Sequence, residues 1–282
     1  YKLSVAWQRK KLLKIVNDIK SLKIQGAEHI ARAAIDAWES AKDKEYASKL
    51  LLRTRPTEPM LRNIIEYLNR FNKPESARFY IDNGLELIAK YGSRLIKNNS
   101  IIYTHCHSST VEAILERAKK EGKRFEVHVT ETRPNYQGRI TATNLARSGI
   151  KVKYFVDSAA LAAMKNADLM FIGADLITPF GEVANKIGSG LFTKVANMLD
   201  IPVYVAAHAL KLDAKATYGM ISSIESRSAK EVWTHHPKNI RIVNPVFEFI
   251  EKEDITSIIS EFGLVSPEVL IQNIKERYAW LW

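Results

Sequence analysis

The chain has a single cysteine, Cys106, in the run Thr104-His105-Cys106-His107-Ser108-Ser109-Thr110, and a carboxylate, Asp175, closes the run Gly173-Ala174-Asp175. A thiolate is a soft base, and a carboxylic acid can hand its proton to an oxygen. Each run follows a short apolar segment, so both groups fall at the carboxyl end of a candidate strand, where open parallel sheets bind ligands. Other strand ends are polar as well. Thr130-Glu131-Thr132-Arg133-Pro134 follows a second strand, Asp157-Ser158 a third, and Asn185-Lys186-Ile187-Gly188-Ser189 lies in the loop continuing from Asp175. A thiol, a carboxylate, an Arg and a Lys converging there could move protons and hold phosphate.

Each feature also has a plainer reading. Cys106 taken alone is an inert buried thiol, as most free cysteines are, and becomes reactive only beside cations or a helix terminus. Asp175 is either a turn or capping residue or a general acid/base. Ser108-Ser109-Thr110 and Gly188-Ser189-Gly190 open predicted helices, as anion-binding termini or simply as N-caps. His105 and His107 would share one side of an extended chain, as a metal pair would. No third ligand is placed by the sequence, so no metal is expected.

The elements that must position these groups show in the apolar periodicity. Leu12, Ile15, Val16, Ile19 and Leu22 mark a helix within 6–24, and Ile30, Ala33, Ala34, Ala37 and Trp38 mark a second. Further helices are predicted over 46–53, through Met60 to Phe71 after the Arg55-Pro56-Thr57 break, and over 75–97 with Gly84 inside. From Ser100 the pattern changes to short apolar runs alternating with helical stretches, as in parallel β-α-β units. Six strands are predicted: 101–105, 125–130, 152–156, 169–173, 203–207 and Arg241–Val243. Helices are expected over 111–120, 141–147, 159–166 and 190–199, and the tail 255–282 reads as helical with a break from Gly263 to Pro267. The fold class is α/β: a helical N-terminal domain over 1–98 and a Rossmann-like parallel-sheet domain over 99–282.

The 282 residues are 46% hydrophobic and 26% charged, enough chain and apolar content for a large core. No uncharged apolar run reaches membrane-spanning length, and 1–11 lacks the apolar block of a signal peptide, so a cytoplasmic location is expected. The formal net charge of +11 is spread along the chain without an aromatic-interleaved basic module. It suits an anionic small molecule, and direct nucleic-acid binding is not expected.

These motifs, in this order, resemble the ribose-1,5-bisphosphate isomerases, archaeal relatives of the α, β and δ subunits of translation initiation factor 2B and of methylthioribose-1-phosphate isomerase. The resemblance covers most of the chain. It rests on Arg55-Pro56-Thr57, Thr104-His105-Cys106-His107-Ser108, Thr130 to Pro134 with Gln137-Gly138, Val156-Asp157-Ser158-Ala159-Ala160, Gly173-Ala174-Asp175, Asn185-Lys186-Ile187-Gly188, and Pro237-Lys238-Asn239-Ile240 leading to Asn244-Pro245. Within that superfamily the isomerases carry both thiol and carboxylate, whereas the initiation-factor subunits generally lack the cysteine.

The resemblance implies isomerisation of ribose 1,5-bisphosphate to ribulose 1,5-bisphosphate in nucleotide salvage, with no redox cofactor and with AMP as an activator. It implies Cys106 and Asp175 as the catalytic pair, and Gly26, Ala27, Arg55, Arg133, Asn185, Lys186 and Lys211 around a phosphorylated sugar. It also implies a homo-oligomer, a dimer or a hexamer built as a trimer of dimers. The chain departs from the family pattern at Gln25, which stands where an Arg usually precedes Gly26-Ala27, at His208 in place of a Glu, and at Glu248 in Phe247-Glu248 in place of an Asp. The alternatives are a non-catalytic subunit-like protein that contacts translation initiation factor 2, and a methylthioribose-1-phosphate isomerase.

Overall fold

The computed structural model describes residues 2–216 and 226–282. Five helices come first: α1 (Lys2–Lys20), α2 (Ala27–Ser40), α3 (Lys44–Leu52), α4 (Pro59–Phe71) and α5 (Pro74–Ser93). Leu12, Val16 and Ile19 bury the expected stripe of α1. That helix stops before Leu22, whose left-handed backbone (φ 60°) cannot continue it. Asp43 caps α3 by accepting from the amide of Tyr46, and Pro59 and Pro74 open α4 and α5 where a missing N–H costs nothing. The expected helix over 75–97 ends four residues early, at Ser93. Leu95 and Ile96 turn back in single-turn hydrogen bonds to Gly92 and Ser93, and Ile96 is buried beneath the sheet.

The second part alternates β1 (Ile101–Thr104), α6 (Ser109–Lys120), β2 (Glu126–Thr130), α7 (Gln137–Arg147), β3 (Lys151–Phe155), α8 (Ala160–Met164) and β4 (Leu169–Ile172). A hairpin of β5 (Leu176–Ile177) and β6 (Val183–Lys186) follows, then α9 (Ser189–Met198) and β7 (Val203–Ala206). After α10 (Ala229–Val232) come β8 (Phe247–Ile250), β9 (Ser257–Ser260), β10 (Gly263–Val265) and α11 (Pro267–Arg277). The main sheet runs β3-β2-β1-β4-β7-β9-β10, parallel except for the last pair, and β5-β6-β8 form a small antiparallel sheet. The order reverses between β1 and β4, which makes a crevice beyond their carboxyl ends.

Two expectations are corrected. Arg241–Val243 forms no strand, and the nearby strand is β8, paired with β6 outside the main sheet. The tail expected to be helical from Ile255 contributes β9 and β10 before its helix, because Ile258 and Ile259 are both fully buried between the two faces of the sheet. The aromatic end folds onto the chain's own body: Trp280 packs edge-on against Tyr67 of α4, and Tyr278 against Tyr80 of α5.

The apolar core is continuous from Leu12 of α1 through the sheet to Leu281. At Gly84 of α5 an added Cβ would lie 2.2 Å from the ring of His208, so the absent side chain lets α5 approach the end of β7. His208, at the position where the motif departs from the family pattern, is fully buried, and its Nε2 donates to the carbonyl of Tyr80 at 2.8 Å. Its Nδ1 accepts from the amide of Leu210, which fixes that tautomer.

Candidate active site

The turn after β1 is built to present a thiol. Cys106 has a left-handed backbone (φ 68°), a conformation that a residue with a side chain adopts only when its surroundings hold it there. Its amide donates to Thr132 Oγ1 at 3.0 Å and its carbonyl accepts from Thr141 Oγ1 at 3.0 Å. The thiol donates to Gln137 Oε1 at 3.4 Å. Gln137 reaches it because the next residue is glycine: a Cβ at Gly138 would lie 1.9 Å from the carbonyl oxygen of Thr130, so only glycine lets α7 start against the end of β2. Thr132 and Arg133 in turn donate their amides to the carboxylate of Asp157, both at 2.8 Å.

His105 lies beneath this turn, buried and neutral. Its Nε2 faces the carbonyl of Ile187 at 3.0 Å, which assigns the ring proton to that nitrogen, and Nδ1 accepts from Thr130 Oγ1 at 2.8 Å. Burial pushes its pKa down to about 4. His107 instead faces Glu112 and Thr141. The two imidazoles are therefore tied to different elements, and no group of three metal-ligating side chains occurs among the described residues.

Asp175 follows β4, across the crevice from Cys106, and its amide donates to the carbonyl of Ala184 in β6. Asn185 and Lys186, expected in a loop, lie on β6 and are buried. Asn185 donates to Ser189 Oγ at 2.9 Å, and the Lys186 ammonium lies over the ring of Phe247. Burial pushes the Cys106 thiol up to about 12; Lys186 opposes that shift, and Asp175 and Asp157 add to it. Cys106, Asp175 and Lys186 thus share one electrostatic environment. The start of α9 is already occupied: the amide of Gly190 donates to Glu248 Oε1 at 2.7 Å. Ser108 acts as the N-cap of α6, accepting from the amide of Val111.

Sequence reasoning missed a second carboxylate beside Asp175. Glu58, at the N-cap position of α4, is only 7% exposed, and its Oε1 has no hydrogen-bond partner among the described residues. Burial and then Asp175 push its pKa up to about 7; Lys211, Arg55 and the amide of Met60 pull it back. Lys211 is itself buried and donates to the carbonyl of Ala174 at 2.5 Å. The adjoining Arg55-Pro56-Thr57 was the signal available, but Glu58 reads there as an ordinary residue at a helix start.

The remaining expected site residues are Arg133, Gly26 and Ala27. Arg133 is exposed; its guanidinium bonds Tyr136 Oη and donates to the carbonyl of Val232 at 3.2 Å. Gly26 (φ 83°) precedes α2 and Ala27 opens it, with Gln25 bonded back to the carbonyl of Leu22.

Residues 20–267 match the Initiation factor 2 subunit family. The chain belongs to that family. Among relatives, the Ribose 1,5-bisphosphate isomerase of Thermococcus kodakarensis is 35% identical, over 96% of this chain and 96% of that protein. The Methylthioribose-1-phosphate isomerase of Caldanaerobacter subterraneus is 31% identical, over 92% of this chain and 88% of that protein. The crystal structure of the Pyrococcus horikoshii translation initiation factor eIF-2B superposes with a TM-score of 0.81 at 28% identity, covering 93% of this chain and 98% of that one. The family thus includes named isomerases and named translation factors, with the fold described above. Among the described residues no helix is long and apolar enough to cross a membrane.

Proposed function

We propose that this chain is an aldose–ketose isomerase that converts ribose 1,5-bisphosphate to ribulose 1,5-bisphosphate in nucleotide salvage. The observation that carries the reading is the placement of Cys106 and Asp175 just after the neighbouring strands β1 and β4, in a chain matched over nearly its whole length by a protein bearing that isomerase's name. Lys186 beside the thiol, and Lys211 with Arg55 beyond Asp175, put cations on both sides of the pair, as a substrate with two phosphates requires.

The chemistry follows from the phosphate at C1, which prevents the sugar from simply opening to a free aldehyde. Protonation of the ring oxygen by Asp175 lets the bond between C1 and that oxygen break. Cys106, as its thiolate, removes the proton from C2, and the released electron pair forms the double bond of a phosphoenol between C1 and C2. The thiol then returns its proton to C1 while the 2-hydroxyl loses its own, leaving a ketone at C2. The ring oxygen has gained a proton and the 2-hydroxyl has lost one, so the reaction needs no redox partner.

The burial of Cys106, Lys186 and Lys211 supports this route because the phosphoenol must be shielded from water. AMP as activator and assembly as dimers or a hexamer belong to the same proposal. The test is turnover of ribose 1,5-bisphosphate, with and without AMP, in competition with methylthioribose 1-phosphate. Preference for the bisphosphate supports the reading, and preference for the thioether substrate moves the assignment to the other isomerase. Turnover of neither moves it to a non-catalytic protein acting on translation initiation factor 2.

A further inference from the structure

The reaction moves two protons on oxygen as well as one on carbon: the ring oxygen gains one and the 2-hydroxyl loses one. A lone carboxylate would have to reach both oxygens in turn. Glu58 supplies a second group in the right surroundings. It is enclosed, its Oε1 is unbonded, and the charged groups bearing on it are Asp175 after β4, Lys211 after β7 and Arg55 from its own turn. A buried carboxylate oxygen left without a donor is costly unless something arrives to fill it. A hydroxyl of a sugar bound against Asp175 would do so.

We propose that Glu58 is a further catalytic residue, a general base that takes the 2-hydroxyl proton through its free Oε1 while Asp175 protonates the ring oxygen. This rests on the isomerase reading above. The two carboxyls then hold one proton between them. Asp175 gives it to the ring oxygen, Glu58 gains one from the 2-hydroxyl, and its passage from Glu58 to Asp175 restores the starting state. Like-charged neighbours of this kind resist holding two negative charges, which favours a shared proton, and a base poised near neutral pH suits the task.

The experiment is the pH dependence of kcat/KM for ribose 1,5-bisphosphate in the wild type and in Glu58→Gln, with folding checked by thermal unfolding. The expected wild-type profile falls on the alkaline side as the pair loses its last proton. Glu58→Gln is expected to lower kcat by about a hundredfold or more, the usual range for one acid–base group, with KM changed less than about threefold. It is also expected to move the alkaline limb toward acid by about one pH unit or more, because the last proton then leaves without a second carboxylate beside it. A Glu58→Gln enzyme with the wild-type kcat and profile overturns the proposal and leaves the isomerase reading intact. If that variant does not fold, the wild-type profile decides: an alkaline limb supports the shared proton, and a flat profile from pH 6 to 9 overturns it. A wild type that does not turn over the bisphosphate overturns the parent reading and this one with it.

Discussion

The amide of Cys106 donates to the side-chain hydroxyl of Thr132 at 3.0 Å, and both residues have left-handed backbones, with φ of 68° and 63°. Two strained turns, one after β1 and one after β2, therefore hold each other, and the thiol's position depends on a threonine it never touches through sulfur. Thr132→Val keeps the shape and removes the acceptor. We expect a loss of stability of about 1–2 kcal/mol in denaturant unfolding, the cost of leaving a buried amide unpaired. Turnover should fall by about tenfold or more as the turn relaxes, since displacing a reacting group by an ångström is that costly. Unchanged kcat with reduced stability would show that the turn does not place the thiol.

Because Cys106 is the only cysteine, its ionisation can be read by alkylation without interference. With the thiol pushed up to about 12 by burial, iodoacetamide should react slowly at pH 8, and the rate should keep rising with pH beyond 10. Lys186→Met removes the cation that favours the thiolate and should slow the reaction further. Asp175→Asn removes a neighbouring negative charge and should speed it. A rate that levels off near pH 8 would mean an ordinary exposed thiol.

Glu58 makes a prediction about stability that is independent of substrate. Its carboxyl is raised from 4.5 to about 7 in the folded chain, so the folded state holds the proton more tightly than the unfolded one. Stability from this group is therefore full below pH 4.5 and is lost as pH rises toward 7. Glu58→Gln removes that dependence. The variant's stability relative to the wild type should improve between pH 4 and pH 8 by on the order of 3 kcal/mol, measured by chemical unfolding. A difference that stays constant with pH would show that folding does not raise the Glu58 pKa.

The alternation of apolar runs and helical stretches was enough to find β1 to β4 and β7, and with them the strand ends that carry Cys106 and Asp175. The hairpin of β5 and β6 was not legible, because its first strand has two residues and its second, Val183–Lys186, ends in Asn and Lys that read as loop. β9 is indistinguishable from helix in the sequence, since Ile258 and Ile259 fit either period, and only their burial in the sheet decides. Glu58 escaped notice for a different reason. Its role depends on where α4 meets the ends of β4 and β7, 117 and 153 residues away at Asp175 and Lys211 (175 − 58 and 211 − 58), and no local pattern reports such a meeting. The resemblance puts Arg133 near the substrate, and its contacts with Tyr136 and the carbonyl of Val232, 99 residues away, are likewise beyond any local pattern.

The most direct measurement is turnover of ribose 1,5-bisphosphate by the wild type, Cys106→Ser and Asp175→Asn, each confirmed as folded. The account predicts formation of ribulose 1,5-bisphosphate by the wild type and a loss of about a thousandfold or more in kcat for either variant, since each removes a group that must carry a proton in every cycle. Wild-type turnover that survives both substitutions would contradict the assignment of the proton transfers to Cys106 and Asp175, and no turnover by the folded wild type would contradict the isomerase itself.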